Sequence, residues 1–109
     1  MANSLKVLKT FPDEVKRGVG YALYLAQNGD KAPQAKLMKG FGAEVYEIVE
    51  DFDTDTYRAV YTAKLKTAVF VLHVFQKKSK KGAETTRQDM DLIKQRLKAA
   101  ITKDRESMN

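Results

Sequence analysis

The stretch EVYEIVEDFDTDTYRAVYTA, residues 44–63, decides the fold. Its two halves, EVYEIVEDF and TYRAVYTA, are rich in Val, Ile, Tyr and Thr and alternate as strands do. Between them DTD is short and polar, as a hairpin link must be. A third run, AVFVLHVFQ at residues 68–76, follows closely. It is apolar on both faces, which predicts a central strand covered on both sides. Consecutive strands joined by short links run antiparallel. The centre of the chain therefore reads as a three-stranded β-meander.

Outward from this meander the pattern turns helical. In DEVKRGVGYALYLAQNG, residues 13–29, Val15, Val19, Ala22, Leu23 and Ala26 form one apolar stripe. Asp13 and Glu14 suit a helix N-terminus, and Gly29 suits a left-handed cap. Gly18 and Gly20 each weaken the helix by about 1 kcal/mol relative to Ala, a cost that close packing of another element would explain. Pro33 predicts a short helix over PQAKLMK, ending at Gly40. After the meander, Thr85 with Gln88 or Thr86 with Asp89 offers a capping box. The helix that follows carries the stripe Met90, Ile93, Leu97 and Ala100, and the tail 102–109 is expected to fray. This is an α+β layout, with helices over one face and the ends of the sheet and the other face at least partly open. With 109 residues and no linker, the chain (residues 1–109) is a single domain.

Composition narrows the chemistry. The net charge is +6, which favours an anionic partner such as nucleic acid. The charge is uneven, because residues 44–55 are acidic while KKSKK at residues 77–81 is basic. There is no Cys and one His, so no disulfide, thiolate site or His-rich metal site is expected. No nucleotide-binding Gly-rich loop or Ser-His-Asp spacing occurs, and no cofactor is expected. No apolar run reaches the roughly 20 residues of a membrane helix, and no signal peptide opens the chain. The expectation is a cytoplasmic protein without membrane partners.

Three polar residues on the strands and a lysine cluster at their end stand out, each with an ordinary and a functional reading. Arg58 inside TYRAVYTAK is ordinarily exposed or paired, but a guanidinium also matches phosphate in two-point geometry. Glu47 in VYEIVE either pairs with Arg58 across the hairpin or serves as a general base on a hydroxyl. His73, flanked by Leu72 and Val74, is either a hydrogen-bonded core residue or an acid–base group. Lys77, Lys78, Lys80 and Lys81 form either a solvated loop or a cationic rim that binds an RNA or DNA backbone. Tyr46, Tyr57 and Tyr61 would stack on bases if exposed. No helix-turn-helix stands out, so a DNA-binding protein in its own right is disfavoured.

Taken in order, LMKG, EVYEIVEDF, YRAVYTA, VLHVFQKKSKK and DLIKQRL resemble the RelE/HigB-type toxin superfamily, in particular its phage-derived HigB-like branch. The similarity runs from LKTFPDEVKRGVGYALYLAQNG to the last helix. It implies a RelE-like antiparallel sheet cradled by N-terminal helices. It implies a toxin of a type II toxin–antitoxin pair: an endoribonuclease, or mRNA interferase, that cleaves mRNA on the ribosome and inhibits translation. The implied partner is an antitoxin, usually helix-turn-helix and HigA-like, through which alone operator DNA would be contacted. Residue by residue, Arg58 matches the Arg at the scissile phosphate, and Lys77 or Lys78 matches the basic residue after the last strand. Glu47 falls where relatives place a Lys or a carboxylate base. Lys80, Lys81 and Lys39 fit RNA-backbone contacts.

Two departures accompany the resemblance. GAETTRQDM, residues 82–90, holds neither the Tyr nor the His that many relatives carry near the last helix. Relatives also open with a strand before the first helix, and MANSLKVLKT is too short for a full strand and turn, so a fourth, N-terminal strand is left open. The general acid is unassigned: Lys77 or Lys78 would serve only with a pKa lowered by its neighbours, and His73 is the one residue whose side-chain type titrates near neutrality. The alternative reading is a catalytically weak or inactive relative that binds RNA or only its antitoxin.

Overall fold

The computed structural model describes residues 2–63, 69–77 and 85–107. Two helices come first, α1 (Ala2–Lys9) and α2 (Asp13–Gln27). Four strands follow, β1 (Ala35–Met38), β2 (Val45–Phe52), β3 (Asp55–Thr62) and β4 (Phe70–Lys77), and then α3 (Arg87–Ser107). The strands form one antiparallel sheet in the order β1-β2-β3-β4. The α+β meander expected from the sequence is therefore present, with one more strand than the three clear ones.

The extra strand is not N-terminal. It is the segment predicted as a short helix after Pro33. Seven residues make a marginal helix, because nucleation costs more than one or two turns return. Paired with β2 from Ala35↔Ile48 to Met38↔Val45, the same residues satisfy their backbone groups on an open sheet edge. Ala35 is buried there and Lys36 points out. Gly40 and Gly42, at φ 92° and 68°, carry the chain around into β2. The segment before Phe11 is helical, as α1, and packs against β4.

That contact explains a second difference. β4 is apolar on both faces, yet it is an edge strand, and β2 and β3 are central. Leu8 of α1 joins the core on one side of the sheet, and Ser4 meets Arg96 of α3 on the other. So α1 lies along the β4 edge and shields it as a further strand would.

Helices cover both faces rather than one. On the first face α2 lays Val15, Val19, Ala22 and Ala26 over Ile48, Ala59, Tyr61 and Val74. Phe11 meets Tyr57 edge-on, with ring centroids 4.7 Å apart. Gly18 is a genuine close approach, since a Cβ there would collide with the Glu50 carboxylate. Gly20 has no such neighbour. Gly29, at φ 83°, ends α2 in a Schellman motif, with Asp30 N donating to Leu25 O and Gly29 N to Ala26 O.

On the second face Ile93, Leu97 and Ala100 of α3 pack on Val45, Val60, Leu72 and Phe75. A register shift opposite Val60/Tyr61 lets consecutive residues Leu72 and His73 both serve this side, while Val71 and Val74 serve the other. The far half of this face, with Val49, Arg58 and Lys77, is only partly covered. Residues 102–107, expected to fray, continue α3, and Asp104 is buried.

Candidate functional site

Along the second face the strand register stacks polar residues in rows. Glu47 lies opposite Val60, which lies opposite His73. One row on, Val49 faces Arg58 and Arg58 faces Phe75. The last row is Asp51, Thr56 and Lys77. Period-two alternation thus gathers Glu47, Arg58, His73 and Lys77 on one surface at the end that α3 leaves partly open.

Arg58 and Glu47 are diagonal neighbours across the hairpin. Arg58 Nη1 donates to Glu47 Oε1 at 2.7 Å, with both side chains less than a fifth exposed. Glu47 Oε2 accepts from the Thr85 hydroxyl. The carboxylate is therefore aimed by β3 on one side and by the approach to α3 on the other. Among the described residues each of its oxygens keeps a second acceptor position.

The second carboxylate of the site is Asp89, in the first turn of α3. Its Oδ1 lies 3.0 Å from His73 Nε2, and its Oδ2 lies 3.2 Å from Lys77 Nζ and 2.8 Å from the Thr86 hydroxyl. Asp89 N donates to Thr86 Oγ1 at 3.1 Å and Thr86 N to Asp89 Oδ2 at 3.4 Å, so the capping box anticipated at Thr86 and Asp89 is formed. Burial alone would raise the Asp89 pKa. Hydrogen bonds from His73, Thr86 and Lys77 outweigh it and hold the carboxyl at about 2. Asp89 is an anion throughout the physiological range.

His73 is the buried, hydrogen-bonded residue of its ordinary reading. Arg96 Nη1 approaches its Nδ1 at 3.3 Å and donates to Leu72 O at 2.9 Å. The imidazole stacks on Phe75 with centroids 4.6 Å apart. The Lys77 ammonium lies over the same Phe75 ring, 5.4 Å from its centroid.

Four of the residues singled out in the sequence thus meet: Glu47, Arg58, His73 and Lys77. Lys78, Lys80 and Lys81 lie outside the described residues. Lys39 is exposed just past β1, at the opposite end of the sheet. Val45 and Phe52 mark the two ends of β2, roughly 23 Å apart at 3.3 Å per residue, so Lys39 stands apart from Arg58 and Lys77. Tyr57 and Tyr61 are buried, and Tyr46 stacks on Tyr61, so these rings pack rather than offer themselves to bases. Asp89 and Arg96 went unrecognised as site residues. Their signal was present, because Asp89, Ile93, Arg96 and Ala100 lie on one helix face, and two charges beside apolar core positions require buried partners.

Among the described residues no group of three or more acidic or imidazole side chains could hold a metal ion. No helix there is long and apolar enough to cross a membrane. What the site offers is two carboxylates, each bound to a cation, at a partly open sheet end. As chemical types, carboxylates can exchange protons and fixed cations can stabilise negative charge.

Residues 6–98 match the family model described as Phage derived protein Gp49-like (DUF891). No curated protein and no solved structure matches the chain. With most of its length matched, the chain belongs to this phage-derived Gp49-like family, a toxin-like family of the RelE/HigB type.

Proposed function

From membership of the Gp49-like family and the chemistry of the sheet end, we propose that this protein is the toxin of a type II toxin–antitoxin pair. In this reading it belongs to the HigB-like branch and cleaves mRNA on the ribosome, which stops translation. The observation that carries the reading is the Arg58–Glu47 pair at 2.7 Å with Lys77 on the same face. A base beside fixed cations is what RNA self-cleavage needs.

RNA supplies its own nucleophile. A base takes the 2′-hydroxyl proton, the 2′ oxygen bonds to the adjacent phosphorus, and the bond to the 5′ oxygen breaks. A proton then reaches that leaving oxygen, giving a 2′,3′-cyclic phosphate and a 5′-hydroxyl. Glu47 is the proposed base, oriented by Arg58 and Thr85. Arg58 and Lys77, with Lys78, neutralise the charge that builds on the phosphorane oxygens. Lys80, Lys81 and Lys39 are proposed to contact the RNA backbone away from the reacting atoms. The protein partner is a helix-turn-helix antitoxin, and the compartment is the cytoplasm.

One observation favours the alternative, an RNA- or antitoxin-binding module with weak or no catalysis. Both nitrogens of His73 are engaged, by Asp89 and Arg96, so it is a poor general acid. Induced expression with a reporter mRNA discriminates the readings. The toxin reading expects growth arrest and ribosome-dependent cleavage, both abolished by Arg58→Ala and relieved by the neighbouring antitoxin gene. Arrest that Arg58→Ala leaves intact overturns the assignment.

A further inference from the structure

We infer that Arg96, His73 and Asp89 form a positioning relay that fixes the Lys77 ammonium at the end of the sheet, with His73 acting as a neutral hydrogen-bond spacer. The functional meaning of the relay rests on the reading that Lys77 meets RNA phosphate.

The argument starts at Arg96, which donates and never accepts. Its Nη1 protons go to Leu72 O at 2.9 Å and towards His73 Nδ1 at 3.3 Å, with Ser4 Oγ at 3.5 Å. A donor facing Nδ1 requires Nδ1 to accept. The ring proton therefore sits on Nε2, where it donates to Asp89 Oδ1 at 3.0 Å. A second proton on the ring would face the guanidinium, donor against donor. The Phe75 ring stacked on the imidazole keeps it from turning.

Asp89 is then fixed from both sides. His73 holds Oδ1, and the Thr86 capping box holds Oδ2 and the backbone. The Lys77 ammonium lies 3.2 Å from the same Oδ2, held there as an ion pair. Lysine is a point charge on a four-carbon stem with about 2 kcal/mol of rotamer entropy. Alone at a strand end it would sample many positions. Asp89 and the Phe75 ring select one, diagonal to Arg58 on the same face. Ser4, Arg96, His73, Asp89 and Lys77 thereby link α1, α3 and β4 to one cation.

The relay makes a sharp prediction for His73. Glutamine carries one donor and one acceptor, the same pair a neutral imidazole offers here. His73→Gln should hold Asp89 and Lys77 in place and keep kcat within a few-fold. His73→Leu and Asp89→Asn should lower kcat roughly 10- to 100-fold, the cost of an ångström-scale misplacement. In a Lys77→Ala background neither substitution should have a further effect. If His73→Gln is as damaging as His73→Leu, His73 is an acid–base group and the relay is overturned. Additive losses in the Lys77→Ala background also overturn it. Should His73→Leu fail to fold, by far-UV circular dichroism, Asp89→Asn carries the comparison.

Nitrogen-15 and side-chain NMR on the wild-type chain test the relay without reference to catalysis. The expected result is a protonated Nε2 and bare Nδ1 on His73. The two Lys77 Hε protons should be inequivalent, and they should merge in Asp89→Asn but not in His73→Gln. The opposite tautomer, an imidazolium at neutral pH, or a Lys77 signal indifferent to Asp89 overturns the relay. If wild type cleaves no RNA yet these signals are as expected, the catalytic reading fails and the relay stands as the device that orders Lys77.

Discussion

The two faces of the sheet are held by different physics. Under α2 the contacts are apolar and undirected: Val15, Val19, Ala22 and Ala26 lie on Ile48, Ala59, Tyr61 and Val74. Small side chains on the helix, Val and Ala, let it settle close to the strands. Under α3 only half the contact is of this kind. The other half is Glu47 with Arg58 and Thr85, and Asp89 with His73, Lys77 and Thr86. Nearly buried charges tolerate few arrangements, since each must find its partner. The first face therefore supplies stability through area. The second specifies a geometry, and the same pairs that anchor the start of α3 make up the candidate site.

The contrast can be broken most directly in the α2 core. Ile48 is fully buried, and Ile48→Ala should cost about 2–5 kcal/mol in urea unfolding. On the proposed toxin reading, RNA cleavage per folded molecule should be retained. A variant that unfolds no more easily, or that loses cleavage while folded, would erase the division of labour between the faces.

A smaller effect belongs to the polar half. The folded pKa of Asp89 lies near 2, below its ordinary value of 3.8. A depressed carboxylate stabilises the fold at pH values above its ordinary range, and that contribution is lost as pH falls towards 2. It amounts to about 2 kcal/mol for this group. Asp89→Asn should thus be less stable at pH 7, yet lose less than wild type between pH 5 and pH 2. Parallel acid losses in urea titrations of the two proteins would remove Asp89 as the source.

The smallest effect separates two glycines of α2. Gly20→Ala meets open space and should stabilise by up to about 1 kcal/mol. Gly18→Ala must displace the Glu50 carboxylate, which accepts from Gln34 at 3.0 Å, and should gain less or lose stability. Equal thermal shifts for the two variants would mean that Gly18 is not a packing position.

Much of this was legible before any coordinates. Strand alternation gave the hairpin of β2 and β3, and the stripe from Val15 to Ala26 gave the helix that covers them. Arg58 and Glu47 could be suspected as a pair across the short DTD link, while their register was fixed only by the two-residue turn at Asp53 and Thr54. The family resemblance added the cation at the end of the last strand. Asp89 and Arg96 were harder to see, since a charged residue on an amphipathic helix is ordinarily solvated.

What the sequence determined by itself was local: element types where periodicity was long, the α2 cap at Gly29, and a capping box at Thr85 or Thr86, of which the structure forms the second. Tertiary structure alone decided the rest. Residues 35–38 became a strand because β2 offered unpaired backbone groups, and a short helix could not compete. β4 could be apolar on both faces and still lie at the edge, because α1 supplies the missing neighbour. His73 became a spacer rather than a free imidazole because Arg96, 23 residues away, reaches one nitrogen and Asp89 the other. Backbone propensity acts within a few residues. The partner that satisfies a buried charge is chosen by the fold.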